Sequence, residues 1–143
     1  MAFAKFYECL EVVLYISVKS GADPVISKDI CDYMGVKPRH LEPLMQQLVK
    51  HGILKGTKGP KGGYTLAKEK RKLTALDVYK AAICDNGIQC GSGKMLKNKI
   101  IVPFSNNLNE CMHKKLNVVT IEKLCGNITE SGFSNDSSGE FNI

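Results

Sequence analysis

Between residues 56 and 63 the chain reads Gly-Thr-Lys-Gly-Pro-Lys-Gly-Gly, so five of eight residues are glycine or proline. No helix runs through such a stretch, because proline removes a backbone donor and each glycine costs conformational entropy. Short apolar segments flank it, Ile53-Leu54-Lys55 before and Tyr64-Thr65-Leu66 after. Two short strands around a glycine-rich loop predict a β-hairpin with an exposed basic tip. A phosphate-cradling nucleotide loop is excluded. That loop would need Lys61 to be followed by Ser or Thr opening a helix, whereas Gly62-Gly63-Tyr64 and a strand follow here.

What precedes the hairpin narrows the fold further. Residues 3–19 space Phe3, Phe6, Leu10, Val13 and Leu14 as a helix does, and Ser20-Gly21-Ala22-Asp23-Pro24 ends that pattern. Ser27 is the expected N-cap of a short helix over 28–34, which Gly35 stops. A third helix begins after Lys37, with Pro38 in the favoured first turn. It places Leu41, Leu44, Met45, Leu48 and Val49 on one face and closes at His51-Gly52. Helix, tight turn, helix and then a hairpin is the winged helix-turn-helix order.

Beyond the hairpin, Thr74 and Asp77 form a capping-box pair at the head of a helix reaching about Cys84. Asp85-Asn86-Gly87 reads as a turn. Residues 94–117 carry a long helical pattern of Met95, Leu96, Ile100, Ile101, Phe104, Leu108, Cys111, Met112 and Leu116, with Pro103 expected to kink it or mark its start. A last short helix is expected over Thr120–Leu124. The fold class is therefore mainly α with a small β-hairpin: a winged helix-turn-helix followed by a long C-terminal helix. Residues 1–84 are expected to form the DNA-binding domain, 85–125 the loop and dimerisation helix, and 126–143 a tail without structure. The apolar face of 94–117 exceeds what one small domain can cover, which predicts pairing with a second copy.

Charge points to the partner. Ten Lys or Arg and two acids, Glu42 and Glu69, lie between Lys37 and Lys72, a local net charge of +8 in a chain whose total is +6. A basic block in a folded domain is the electrostatic footprint of nucleic-acid binding, although a solvated lysine-rich face has the same composition. On the third helix the outward residues are Lys37, Arg39, His40, Glu42, Pro43, Gln46, Gln47 and Lys50. Arg39 is suited to guanine, Gln46 or Gln47 to adenine and Glu42 to cytosine, with Lys50 on phosphate. Lys58, Gly59 and Lys61 form the hairpin tip, where glycine lets a backbone approach DNA. The alternative is that these are the polar face of an ordinary amphipathic helix and a solvated loop.

Leu41-Glu42-Pro43-Leu44, Gly59-Pro60-Lys61-Gly62-Gly63-Tyr64-Thr65-Leu66 and Leu73-Thr74-Ala75-Leu76-Asp77-Val78 resemble the Rrf-two family of winged-helix transcriptional regulators (IscR-, NsrR- and CymR-like), over roughly residues 3–125. The resemblance implies that Arg39, His40, Glu42 and Pro43 lie on the recognition helix and Lys58 in the wing. It also implies a homodimer joined through the long helix. It makes the chain a sequence-specific regulator, a repressor in the first reading, of double-stranded palindromic DNA.

Six cysteines remain: Cys9, Cys31, Cys84, Cys90, Cys111 and Cys125. Cys9, Cys31, Cys111 and Cys125 fall at apolar helical positions and read as small buried hydrophobes. The resemblance implies that some family members hold an iron–sulfur cluster on three loop cysteines. Cys84 and Cys90 have the spacing of the first two, but Leu96 stands where the third would be. The next thiol is Cys111, and Glu8, His40 or His113 could substitute only if folding brings them near. No cofactor is therefore expected. A cluster on Cys84, Cys90 and Cys111 with non-standard ligands, and a thiol switch at Cys84 or Cys90, stay open as alternatives, as does a winged helix used for protein contact. No signal peptide or membrane span is legible, so the chain reads as cytoplasmic with reduced thiols. The three histidines, His40, His51 and His113, are scattered and no catalytic set stands out, which argues against an enzyme.

Overall fold

The computed structural model describes residues 2–19, 23–60, 62–83 and 92–130. Helix α1 spans Ala2–Lys19. Its residues Phe6, Cys9, Val12, Val13 and Ile16 are buried, the last four completely. That three- and four-residue spacing makes one continuous apolar stripe, against which α2 (Ser27–Met34), β2 (Gly63–Leu66), α4 (Ala75–Ile83) and α6 (Ile121–Glu130) all pack. Ser27 is not the N-cap of α2 but its first helical residue. Ile26 holds the cap position in extended conformation and supplies no side-chain acceptor.

Helix α3 spans Pro38–Lys50 and buries Leu41, Leu44, Met45 and Leu48. Val49, expected on the same face, is 38% exposed. It sits one helical step to the side of the buried stripe, facing the hairpin. Strands β1 (Leu54–Thr57) and β2 pair antiparallel, from Leu54 opposite Leu66 to Thr57 opposite Gly63. The regular pairing thus begins one residue later than Ile53, whose N–H donates to the Leu48 carbonyl to close α3 and whose own carbonyl accepts from the Ala67 N–H.

The capping box at α4 forms in both directions. The Thr74 N–H donates to Asp77 Oδ2 at 3.0 Å, and the Asp77 N–H donates to Thr74 Oγ1 at 3.2 Å. After α4 the long segment opens with a π turn over Lys97–Ile101 and continues as α5, Val102–Asn117. Pro103 explains the change of winding: it has no N–H to give the Lys99 carbonyl, and its ring crowds that turn.

The boundaries expected from sequence need two corrections. First, α6 returns to the N-terminal core: Ile121 and Cys125 are buried, the Ile121 N–H donates to Leu73 O and the Ala75 N–H to Val119 O, both at 2.8 Å. Helix α6 therefore shares one core with α1 and α4. Ile121 and Cys125 supply apolar surface that α1 would otherwise leave in water. Second, α6 runs through Glu130, so the segment 126–143 begins as helix; residues 131–143 lie outside the described residues.

Ile121→Ala should lower unfolding stability by about 2–5 kcal/mol, and Thr74→Ala by about 1 kcal/mol, each read from urea denaturation. An Ile121→Ala variant with wild-type stability would detach α6 from the core.

Candidate nucleic-acid interface

The turn between α2 and α3 is set by Gly35, whose φ of 67° is left-handed and whose N–H closes back on the Cys31 carbonyl. Pro38 then starts α3 with its φ already helical. With the inward stripe of α3 taken by leucine and methionine, Arg39, Pro43, Gln46 and Lys50 recur at four-, three- and four-residue steps on the opposite side, all exposed. Lys37 and Glu42 are also exposed, and Gln47 is half-buried. His40 turns toward α1, with Nε2 3.5 Å from Glu8 Oε2. Both side chains remain substantially solvent-exposed, so this contact orients more than it stabilises.

The hairpin is tied to the helix-turn-helix by a contact that sequence reasoning missed. Val25 pairs with Tyr64: the Val25 N–H donates to Tyr64 O at 3.0 Å and the Tyr64 N–H donates to Val25 O at 2.8 Å. A one-residue third strand therefore fixes the wing beside α2. The signal for it, the extended apolar pair Val25-Ile26 before a helix, is too short to single out from spacing.

Glycines in the wing answer to this packing. A Cβ on Gly63 would collide with the Val25 carbonyl, and one on Gly62 with the carbonyls of Thr57 and Gly59. Gly59 has φ 109° and open space around it. So Gly62 and Gly63 are required by the protein's own backbone, and of the expected tip only Lys58, Gly59 and Pro60 are described and exposed. Lys61 lies outside the described residues.

Between α3 and the wing runs a groove of about 600 Å³, lined among others by Gln46, Val49, Lys50, Lys58 and Tyr64. The exposed stripe of α3 and the wing tip stand on either side of it. Their described charged residues, Arg39, Lys50 and Lys58, are all cations. Such an arrangement is suited to a polyanion that seats a helix in one groove and a basic loop on the adjacent backbone.

The cysteines divide by burial. Cys9, Cys31 and Cys125 are buried. Burial pushes the Cys9 thiol up to about 11, so it stays protonated at neutral pH. Cys125 Sγ lies 3.3 Å from Ser17 Oγ. Cys111, expected to be buried, is exposed on α5, with Sγ 3.9 Å from Asn107 Oδ1. It is exposed because α5 buries none of its residues. Cys84 and Cys90 lie outside the described residues. Of the candidate substitutes, Glu8 and His40 meet, while His113 sits edge-on to Tyr79 at 5.9 Å. Among the described residues no three His, Cys, Asp or Glu side chains converge on a metal-sized site.

Helix α5 and the turns before it carry a different surface. Met95, Leu96, Ile100, Ile101, Phe104 and Leu108 are each between 46% and 67% exposed. Leu96, Ile100, Phe104 and Leu108 recur every four residues, and the wider winding of the π turn helps hold them in one line.

Comparison with known proteins agrees with this geometry. The Rrf2 family profile, described as an iron-dependent transcriptional regulator, matches residues 4–127. Protein rrf2 of Nitratidesulfovibrio vulgaris is 27% identical over 118 residues, 79% of each chain. The HTH-type transcriptional regulator IscR of Escherichia coli is 33% identical over 69 residues, which span 48% of this chain and 43% of that one. Among solved structures, T. potens IscR superposes with a TM-score of 0.71 at 19% identity, covering 95% of this chain and 93% of the other. CymR, the global cysteine regulator of B. subtilis, superposes with a TM-score of 0.64 at 22% identity over 86% and 94%.

Alkylation at pH 8 followed by mass spectrometry should label Cys111 and spare Cys9. Labelling of both at one rate would mean that the α1 stripe is open to solvent. Gly63→Ala should strip hydrogen-exchange protection from the Tyr64 and Val25 amides while leaving α4 protected, since only the wing bridge is lost.

Proposed function

Because the chain belongs to the Rrf2 family of transcriptional regulators, we propose that it acts as a homodimer that represses transcription by binding a palindromic operator. The observation that carries this reading is the exposed line Arg39–Pro43–Gln46–Lys50 beside a basic wing. In this reading α3 enters the major groove, which is wide enough to admit a helix. Arg39, in the first turn, pairs with guanine through its two parallel donors, and Gln46 reads adenine. Lys37 and Lys50 meet phosphates at the two ends of α3, and Pro43 meets the groove wall through apolar contact. Glu42 accepts from the cytosine amino group, and its carboxylate is repelled by the two acceptors of a guanine edge. His40 is held by Glu8 at the edge of the footprint. Lys58, Gly59 and Lys61 reach the flanking backbone or the minor groove.

The line of apolar residues from Leu96 to Leu108 supports the dimer. Water would otherwise cover a continuous hydrophobic strip on a helix with no buried residue, and an identical strip on a second copy removes both from solvent. Two α3 helices related by a twofold axis then require two half-sites about one DNA turn apart, on the order of 34–36 Å. No step of this mechanism passes through a cofactor. In this reading redox responsiveness rests on Cys84 and Cys90, and a cluster would need both together with at least one further ligand.

Binding to an operator duplex should weaken steeply as salt rises, because phosphate contacts release counterions. Arg39→Ala should cost about 1–3 kcal/mol on the preferred site and relax base preference at one position, whereas Lys58→Ala should weaken all duplexes alike. Equal behaviour of the two variants in a fluorescence-anisotropy titration would misplace the recognition helix. Phe104→Glu should give a monomer by light scattering, and a Phe104→Glu dimer would overturn the α5 interface. Anaerobically purified protein should be colourless and iron-free; a visible charge-transfer band with stoichiometric iron would establish a cluster with unusual ligands.

A further inference from the structure

The groove between α3 and the wing has a wall that a sugar-phosphate backbone does not call for. Its volume, about 600 Å³, falls in the range of pockets that hold small organic ligands, on the order of 300–1,000 Å³. One side is apolar: the exposed Val49, the ring of Tyr64 and the bare backbone of Gly56 and Gly63. A Cβ on Gly56 would stand 3.6 Å from Tyr64 Cε1, so the glycine leaves that ring uncovered. The other side is cationic. Lys50 and Lys58 line it, and so does Ser27 in the first turn of α2. That helix has no side-chain cap: Ile26 gives the Asp29 and Ile30 N–H groups its backbone carbonyl alone, and Asp29 is the acidic residue of the first turn. No carboxylate lines the groove among the described residues, and Glu42 of the same α3 lines an adjoining hollow instead.

We infer that this groove is an effector site for a small aromatic carboxylate. The ring lies against Val49 and Tyr64, and the carboxylate meets Lys50 and Lys58. Both requirements are met within one cavity, which separates this ligand from a bare phosphate (charge without an apolar body) and from a neutral arene. The regulatory consequence rests on the DNA-binding reading: Gln46, Lys50 and Lys58 serve both ligands, so an occupied groove and a bound operator exclude one another. An effector that binds only the free protein releases the operator in proportion to its concentration above its dissociation constant.

The test is an amide NMR titration of the full ¹⁵N-labelled chain with 2-naphthoate, and separately with the uncharged isostere 2-naphthamide. Saturable shifts are expected at Gly56, Thr57, Gly63 and Tyr64, with naphthamide weaker by about tenfold or more, the equivalent of ~1.4 kcal/mol. Gly56→Leu, which fills the space beside Tyr64, should abolish those shifts while α4 amides keep their wild-type positions. Shifts confined to the α5 strip, a titration that does not saturate, or equal binding of the two probes would overturn the site. Duplex DNA added to the naphthoate complex should displace it; a ternary complex would overturn the competition. A chain that binds naphthoate in the groove and no duplex at any salt would sink the operator reading while leaving the effector site standing.

Discussion

Two hydrogen bonds between Val25 and Tyr64 hold the working parts of this protein in register. They exist because Gly63 has no Cβ to meet the Val25 carbonyl. Through them the wing is fixed to the segment that leads into α2, and α2 in turn is fixed to α3 by the left-handed turn at Gly35. The path from the wing to α3 is therefore held at two joints. Without the bridge, a two-stranded hairpin of four-residue strands would be marginal by itself in water. The groove between α3 and the wing owes its shape to the same pair of bonds, since Tyr64 forms both a bond partner and a wall.

The second organising constraint is the division of apolar surface. Helix α1 spends its stripe on the core, and α6 comes back from the far end of the chain to complete it with Ile121 and Cys125. Helix α5 buries none of its residues fully and meets that core through the half-buried Leu116, while its apolar line stays outside. Helices α5 and α6 are joined by only a few residues, yet α6 packs into the core while α5 leaves an apolar line in solvent. The backbone bonds from Ala75 to Val119 and from Ile121 to Leu73 pin the end of α5 to the head of α4. Near that end His113 leans edge-on against Tyr79.

Much of this was legible in the chain because it rests on local chemistry. Pro38 and Gly35 announce the helix-turn-helix, Thr74 and Asp77 announce α4, and the glycine run announces the hairpin; each is a rule about a few consecutive residues. The outward stripe of α3 followed from helical spacing once its buried leucines were known. What spacing could not show were contacts between residues far apart in sequence. The Val25 bridge, the return of α6 and the meeting of Glu8 with His40 all depend on the tertiary path. Spacing assigns the tip glycine, Gly59, to an approach to DNA, but it does not show that Gly62 and Gly63 beside it are demanded by the protein's own carbonyls. Cys111 was assigned to a core because its neighbours are apolar, but an apolar line on a helix does not reveal whether the same chain or another covers it. Ser27 was misplaced by one residue, because an N-cap preference is statistical and Ile26 takes the cap position in this fold.

The uncapped start of α2 connects these threads. A serine one residue earlier would satisfy the first-turn amides from within, at a gain of about 1 kcal/mol in stability. This chain instead places isoleucine there and leaves the positive end of the helix beside two lysines and an open aromatic ring. The side-chain cap is given up next to two cations, with Asp29 in the same first turn, and the site lies between the two elements proposed to hold DNA. An anion of either kind arriving there meets cations and amide donors already held in place. Little reorganisation is then needed on binding, and the cost of assembling that potential was met when the chain folded.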